Sequence, residues 1–156
     1  MRRISSHLMV TGLVLVVATC NLPRDADGTL DRVQNGVIRV GLAHNPPWVV
    51  TSGTQAGFEP QLVAGLARQL NAKTAFVNGS ETRLLESLHR RELDLVVGGF
   101  TDDSPWKGQV AFTKPYRKDP DGKGHVLALA PGENAWLVRV EKFLQENKPG
   151  GEEGEK

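Results

Sequence analysis

Residues 36–43 read Gly-Val-Ile-Arg-Val-Gly-Leu-Ala and residues 94–98 read Asp-Leu-Val-Val-Gly. Each is a short β-branched and apolar run closed by glycine, the pattern of a strand buried on both faces. What lies between them decides the fold class. From Pro60 to Asn71, Leu62, Val63, Leu66, Ala67 and Leu70 recur at helical spacing, with Glu59 as a candidate cap and Pro60 tolerated at the first helical position. Lys73 to Val77 is a further strand candidate, and after Asn78-Gly79-Ser80 a second helix turns Leu84, Leu85 and Leu88 inward. Strands alternating with helices favour parallel pairing through right-handed crossovers, with helices on both faces of the sheet. The expected fold is therefore α/β: a Rossmann-like single lobe with a mostly parallel sheet flanked by helices. Val110 to Thr113 and His125 to Ala130 are candidates for further strands. Asn134 to Gln145 reads as a final helix with Trp136, Leu137, Val140 and Leu144 inward.

Outside this core the chain changes character. Met1-Arg2-Arg3, the apolar run Leu8 to Val17 and the small residues before Cys20 follow the layout of a secretory signal. The run is shorter than the roughly 20 apolar residues needed to span a bilayer. Val17-Ala18-Thr19-Cys20 resembles a bacterial lipobox, in which the cysteine is lipidated and the chain cut before it, although Thr19 stands where Gly, Ala or Ser is usual. A plain signal or an uncleaved anchor is the alternative. The expected organisation is a lipoprotein-like signal over 1–20, a linker over 21–35, the folded lobe over 36–146 and a disordered tail over 147–156. Such a protein is exported, periplasmic and tethered to the membrane through Cys20.

Of the 156 residues, 39% are hydrophobic and 24% charged, and the net charge is +1. That balance fits one globular domain and argues against nucleic acid as a partner, which requires clustered Lys and Arg. The histidines are scattered, and no HExxH, CxxC, GxSxG, GxxxxGK or GxGxxG spacing occurs. No metal or other cofactor is expected, and no enzyme class is indicated. His44 is the best-placed titratable group, yet a turn histidine bonded to nearby backbone is the simpler reading. Asp102-Asp103 reads as a solvated turn pair rather than acid–base machinery.

Ligands of parallel sheets sit outside the carboxyl ends of the strands. The loops His44-Asn-Pro-Pro-Trp48 and Gly99-Phe-Thr-Asp-Asp-Ser-Pro-Trp106 leave two such ends. Trp48, Thr101, Ser104 and Trp106 are the candidate ligand-binding residues, offering flat apolar faces and hydroxyls suited to a small polar solute. The same residues also suit a strand-ending turn and a helix cap.

Val37-Ile-Arg-Val-Gly41, Asn45-Pro-Pro-Trp48, Gly57-Phe-Glu-Pro-Gln-Leu62, Glu92-Leu-Asp-Leu-Val-Val-Gly-Gly99 and Phe112-Thr-Lys-Pro-Tyr116, in that order, resemble the first lobe of the bacterial solute-binding proteins, family 3. These are also called type II periplasmic binding proteins. The resemblance implies an interlobe cleft for a small polar solute, often an amino acid, and delivery to an ABC permease. The chain departs from the family in two places. Many amino-acid binders carry an arginine a few residues after the threonine to clamp an α-carboxylate, whereas Lys107 stands here and lacks that planar fork. After Tyr116 the family crosses to a second lobe, whereas here Arg117 to Lys123 leads straight into a segment like the returning end of lobe one. A small dehydratase-like enzyme on the same fold and an exported interaction lobe without a small ligand are the other readings.

Overall fold

The computed structural model describes residues 23–147 except residue 54. The expected signal, Cys20 and nearly all of the tail lie outside the described residues. Ten elements follow one another: α1 (Thr29–Val33), β1 (Val37–Ala43), α2 (Phe58–Gln69), β2 (Lys73–Gly79), α3 (Glu81–His89), β3 (Leu95–Thr101), β4 (Ala111–Phe112), β5 (Arg117–Lys118), β6 (Gly124–Leu129) and α4 (Asn134–Glu146).

The sheet order is β2-β1-β3-β6-β4, with β5 pairing β6. β1 lies parallel to both β2 and β3, as crossovers through α2 and α3 require. β6 runs antiparallel to β3, so the sheet is less uniformly parallel than the strand–helix alternation alone suggests. The reason is local. No helix lies between β3 and β6, and the chain re-enters the sheet from the end at which β3 left it, Thr101 facing His125 across the ladder.

Side chains of period two sort the core into two layers. Ile38, Val40, Leu42, Leu95, Val97, Leu127 and Leu129 pack against α1, α2 and α4. Val96, Phe100, Val126 and Ala128 pack against Leu84, Leu85 and Leu88 of α3. Each of those leucines contributes about 2 kcal/mol by leaving water. In α4, Phe143 is buried together with Trp136, Val140 and Leu144, and Leu137 packs at the core margin.

Residues 23–35 are more ordered than a tether. Asp25 accepts hydrogen bonds from Leu30 N in α1 and Trp136 N in α4, at 2.7 and 2.8 Å. Glu133, next to α4, accepts from Asp27 N and Thr29 N at the start of α1. Carboxylates at helix N-termini satisfy N–H groups that lack an intrahelical partner. Val33 is fully buried, so the folded lobe begins before residue 36.

Between β5 and β6 the chain makes a tight hairpin. Arg117 pairs His125, Lys118 pairs Gly124, and Asp119 N donates to Lys123 O across the turn. The short joint after Tyr116 is thus a closed piece of the sheet.

Candidate ligand-binding site

β1 and β3 end side by side, and their parallel pairing brings residues 44–48 and 99–106 to one edge. The first loop is built around the start of α2. Asn45 and Val49 exchange backbone hydrogen bonds, while Pro47 O and Trp48 O accept from Phe58 N and Glu59 N, which would otherwise lack helical partners. Gly57 makes this approach possible, since a Cβ there would lie 2.4 Å from Trp48 O and φ is +116°. Helix α2 therefore starts at Phe58 rather than Pro60, and Glu59 does not cap it.

Glu59 instead reaches across to the strand. Its Oε2 accepts from Gly98 N at 2.8 Å and Gly99 N at 2.9 Å, and its Oε1 accepts from the Tyr116 hydroxyl at 2.6 Å. The carboxylate is fully buried. Burial raises its pKa above the usual carboxylate range, with the hydrogen bonds from Tyr116, Gly99 and Gly98 opposing. Burial and the neighbouring carboxylate push the Tyr116 hydroxyl well above its ordinary value, so it stays a neutral donor. These contacts hold the end of β3, where Gly99 adopts φ +66° and a Cβ would meet the Trp48 ring at 2.6 Å and Asn45 Nδ2 at 2.7 Å. Asn45 Nδ2 also donates to Gly98 O.

The result is a polar hollow of about 350 Å³ lined by Asn45, Glu81, Gly99, Thr101, Asp103 and Ser104. That lies within the roughly 300–1,000 Å³ of small-molecule sites. Thr101 donates to Asp103 and Ser104 N to Thr101 O, forming a turn rather than the helix cap considered above. Trp48, half-buried, borders the hollow through Gly99. Its ring lies on His125, centroids 3.8 Å apart, with Phe58 edge-on at 5.9 Å. Thr101 and Ser104 therefore line the hollow together, with Trp48 against it at Gly99. Trp106 turns away: its indole donates to Glu81 at 2.7 Å, and its ring lines a separate apolar groove with Leu85, His89 and Val110.

His44 Nδ1 accepts from Thr51 N and meets the Thr51 hydroxyl, the simple turn role. His125 is buried with Nε2 against Asp119 at 2.9 Å. Among the described residues no cluster of His, Cys, Asp and Glu is arranged to hold a metal ion. Sequence reasoning assigned Asn45, Glu59, Tyr116 and His125 no site role. A clue to Glu59 existed, because a carboxylate flanked by Phe58 and Pro60 that turns inward must find donors.

The sequence profile of the bacterial extracellular solute-binding proteins, family 3, matches residues 38–153. An arginine-binding periplasmic protein of Mannheimia haemolytica is 29% identical over 73 residues, which cover 46% of this chain and 31% of that protein. The match thus spans about a third of that relative. The crystal structure of the arginine-bound form of domain 1 from TmArgBP superposes with a TM-score of 0.68 at 26% identity, covering 75% of this chain and 98% of that one. The ancestral amino-acid-binding protein AncCDT-1, described as a precursor of cyclohexadienyl dehydratase, shares the fold at a TM-score of 0.65 and 16% identity, covering 76% and 92% of the two chains. With its profile match over most of the folded lobe, the chain belongs to the bacterial extracellular solute-binding proteins, family 3.

Proposed function

We propose that this protein is the extracytoplasmic solute-binding component of an ABC-type transporter, taking a small polar solute of the amino-acid class and presenting it to a permease. The observation that carries the reading is the polar hollow at the joined carboxyl ends of β1 and β3, bordered by Trp48 and floored by Gly99. Thr101 and Ser104 supply hydroxyls, Asn45 a side-chain amide and Trp48 an apolar wall; Trp106 acts at one remove through Glu81. Binding rather than turnover is supported by the titratable groups in and around the hollow: Glu81 accepts from the Trp106 indole, and Asp103 accepts from the Thr101 hydroxyl and pairs with Lys123. Glu59 is saturated with hydrogen bonds and closed to solvent, and His125 is sealed beneath Trp48.

Family relatives enclose solute by hinge closure between lobes. One lobe leaves much of the solute in water, so Kd is expected to be about 100 μM or weaker. The arginine-bound domain 1 of TmArgBP is a relative in which a single domain holds its ligand. Calorimetry against a panel of amino acids tests the reading. Binding should appear for at least one of them and weaken about fivefold in Thr101→Val, the loss of one neutral hydrogen bond. Heat of binding for none of them would remove the amino-acid reading.

The proposal includes export to the periplasm and a lipid anchor on Cys20, supported by the basic start, apolar run and small-residue approach to that cysteine. Cys20→Ala is expected to move the exported protein from the membrane to the soluble fraction and abolish lipid labelling. Membrane retention with labelling undiminished would place an uncleaved anchor there instead.

A further inference from the structure

Arg117 opens β5, where the chain turns back into the sheet instead of continuing to a second lobe. Its guanidinium carbon lies 5.6 Å from the centroid of the Trp48 ring. The side chain is exposed, and among the described residues it has no carboxylate partner and no side-chain hydrogen bond. The aromatic surface beside the polar hollow thus already carries a guanidinium, held by its attraction to the ring.

The neighbouring charges sharpen the consequence. Asp119 faces His125 Nε2, Asp103 faces the Thr101 hydroxyl and Lys123 Nζ at 3.5 Å, and Glu81 accepts from the Trp106 indole. Asp102 accepts from Gly124 N. These carboxylates keep their charge at the hollow, Asp103 beside Lys123 and Glu81 and Asp102 on neutral N–H groups, whereas Arg117 and the adjacent Lys118 have no ion pair among the described residues. The charged group seated on the Trp48 ring itself is the Arg117 guanidinium. A cationic side group must displace Arg117 from the ring or sit beside it against like-charge repulsion, an acidic one meets Glu81 and Asp103 in the hollow, and a neutral one meets no like charge.

Building on the amino-acid reading above, we propose that Arg117 is a specificity-determining residue: its guanidinium on Trp48 keeps cationic side groups off the aromatic surface, so that the lobe favours a polar solute with a neutral side group.

The test compares the full chain with Arg117→Ala and, as a second variant retaining a long polar side chain, Arg117→Gln. N-ethylguanidinium is titrated while following the Trp48 indole ¹⁵N signal, assigned with Trp48→Phe; L-arginine and L-glutamine are titrated calorimetrically. In both Arg117 variants, N-ethylguanidinium should shift the Trp48 signal at a concentration about fivefold lower than in the parent. The preference for glutamine over arginine should fall by a similar factor. An equal or higher N-ethylguanidinium concentration in the variants overturns the proposal. If neither amino acid binds any of the proteins while the N-ethylguanidinium difference persists, the exclusion of cations from Trp48 stands and the amino-acid reading falls.

Discussion

Replacing Asp94 by alanine is expected to destabilise the protein by about 3 kcal/mol, lowering Tm by about 10 °C for a domain of this size. Asp94 is 2% exposed and gathers the fold around one carboxylate. Its Oδ1 accepts from Arg32 Nη2 at 2.5 Å and Arg39 Nη2 at 2.6 Å, and its Oδ2 accepts from Arg39 N at 2.8 Å. Its carbonyl accepts from the Trp136 indole at 2.9 Å. One residue thereby ties α1, β1, the start of β3 and α4. Burial alone pushes its pKa up, but hydrogen bonds from Arg39 and Arg32 outweigh that and hold it below the ordinary aspartate value. A depressed folded-state pKa gives stability that is present above the unfolded value of about 3.9 and is lost as pH falls through the folded one. The alanine variant leaves two guanidinium groups without their acceptor. Both are partly exposed, 41% and 38%, so water relieves part of the cost, and the estimate sits at the low end for a broken buried pair. Asp94→Asn, which keeps the shape, should lose about half as much. Urea unfolding at neutral pH decides it; an alanine variant within 1 kcal/mol of the parent would show that the arginines find equivalent partners.

The strand–helix order was legible because its determinants are local. The β-branched runs at 37–40 and 95–97 and the leucine spacing of α2 and α3 report period and burial directly, and parallel pairing follows from crossover length. The edge holding Trp48, Thr101 and Ser104 followed from the same argument, since parallel neighbours end together. What escaped is non-local. Trp106 lines the neighbouring groove and reaches the hollow only through its indole bond to Glu81, at the start of α3, a contact between residues far apart in sequence. α1 looked like tether because its anchors, Glu133 and Trp136, lie more than a hundred residues downstream. Even the start of α2 depended on loop carbonyls ahead of it rather than on a capping side chain. The antiparallel entry of β6 depended on a hairpin whose two-residue partner strand is too short to carry a periodic signal.

The second large effect is expected at Glu59, and its sign with pH is opposite to that of Asp94. Glu59→Ala removes the acceptor of Gly98 N, Gly99 N and the Tyr116 hydroxyl at once and leaves a cavity in their place. Unpaired buried donors cost about 1–3 kcal/mol each, partly relieved by relaxation or water, so a loss of about 4 kcal/mol is expected. Glu59→Gln behaves differently. Its amide oxygen can still accept from the two glycine N–H groups, and its NH₂ can donate to the Tyr116 oxygen, mimicking the protonated acid. Burial raises the pKa of Glu59 in the folded protein, so the unfolded chain loses this proton first as pH increases. The carboxyl's contribution to stability is then fully present below the unfolded value of about 4.3 and is lost as pH rises through the folded value. Glutamine has no proton to lose. Relative to the parent, Glu59→Gln should therefore gain stability between pH 4 and pH 8, the other titrating groups cancelling because both proteins share them. Urea unfolding of parent and variant across that range measures the difference. A gap that stays flat or closes toward alkaline pH would mean that the hydrogen bonds from Tyr116, Gly98 and Gly99 outweigh burial, and that Glu59 folds as an ordinary carboxylate.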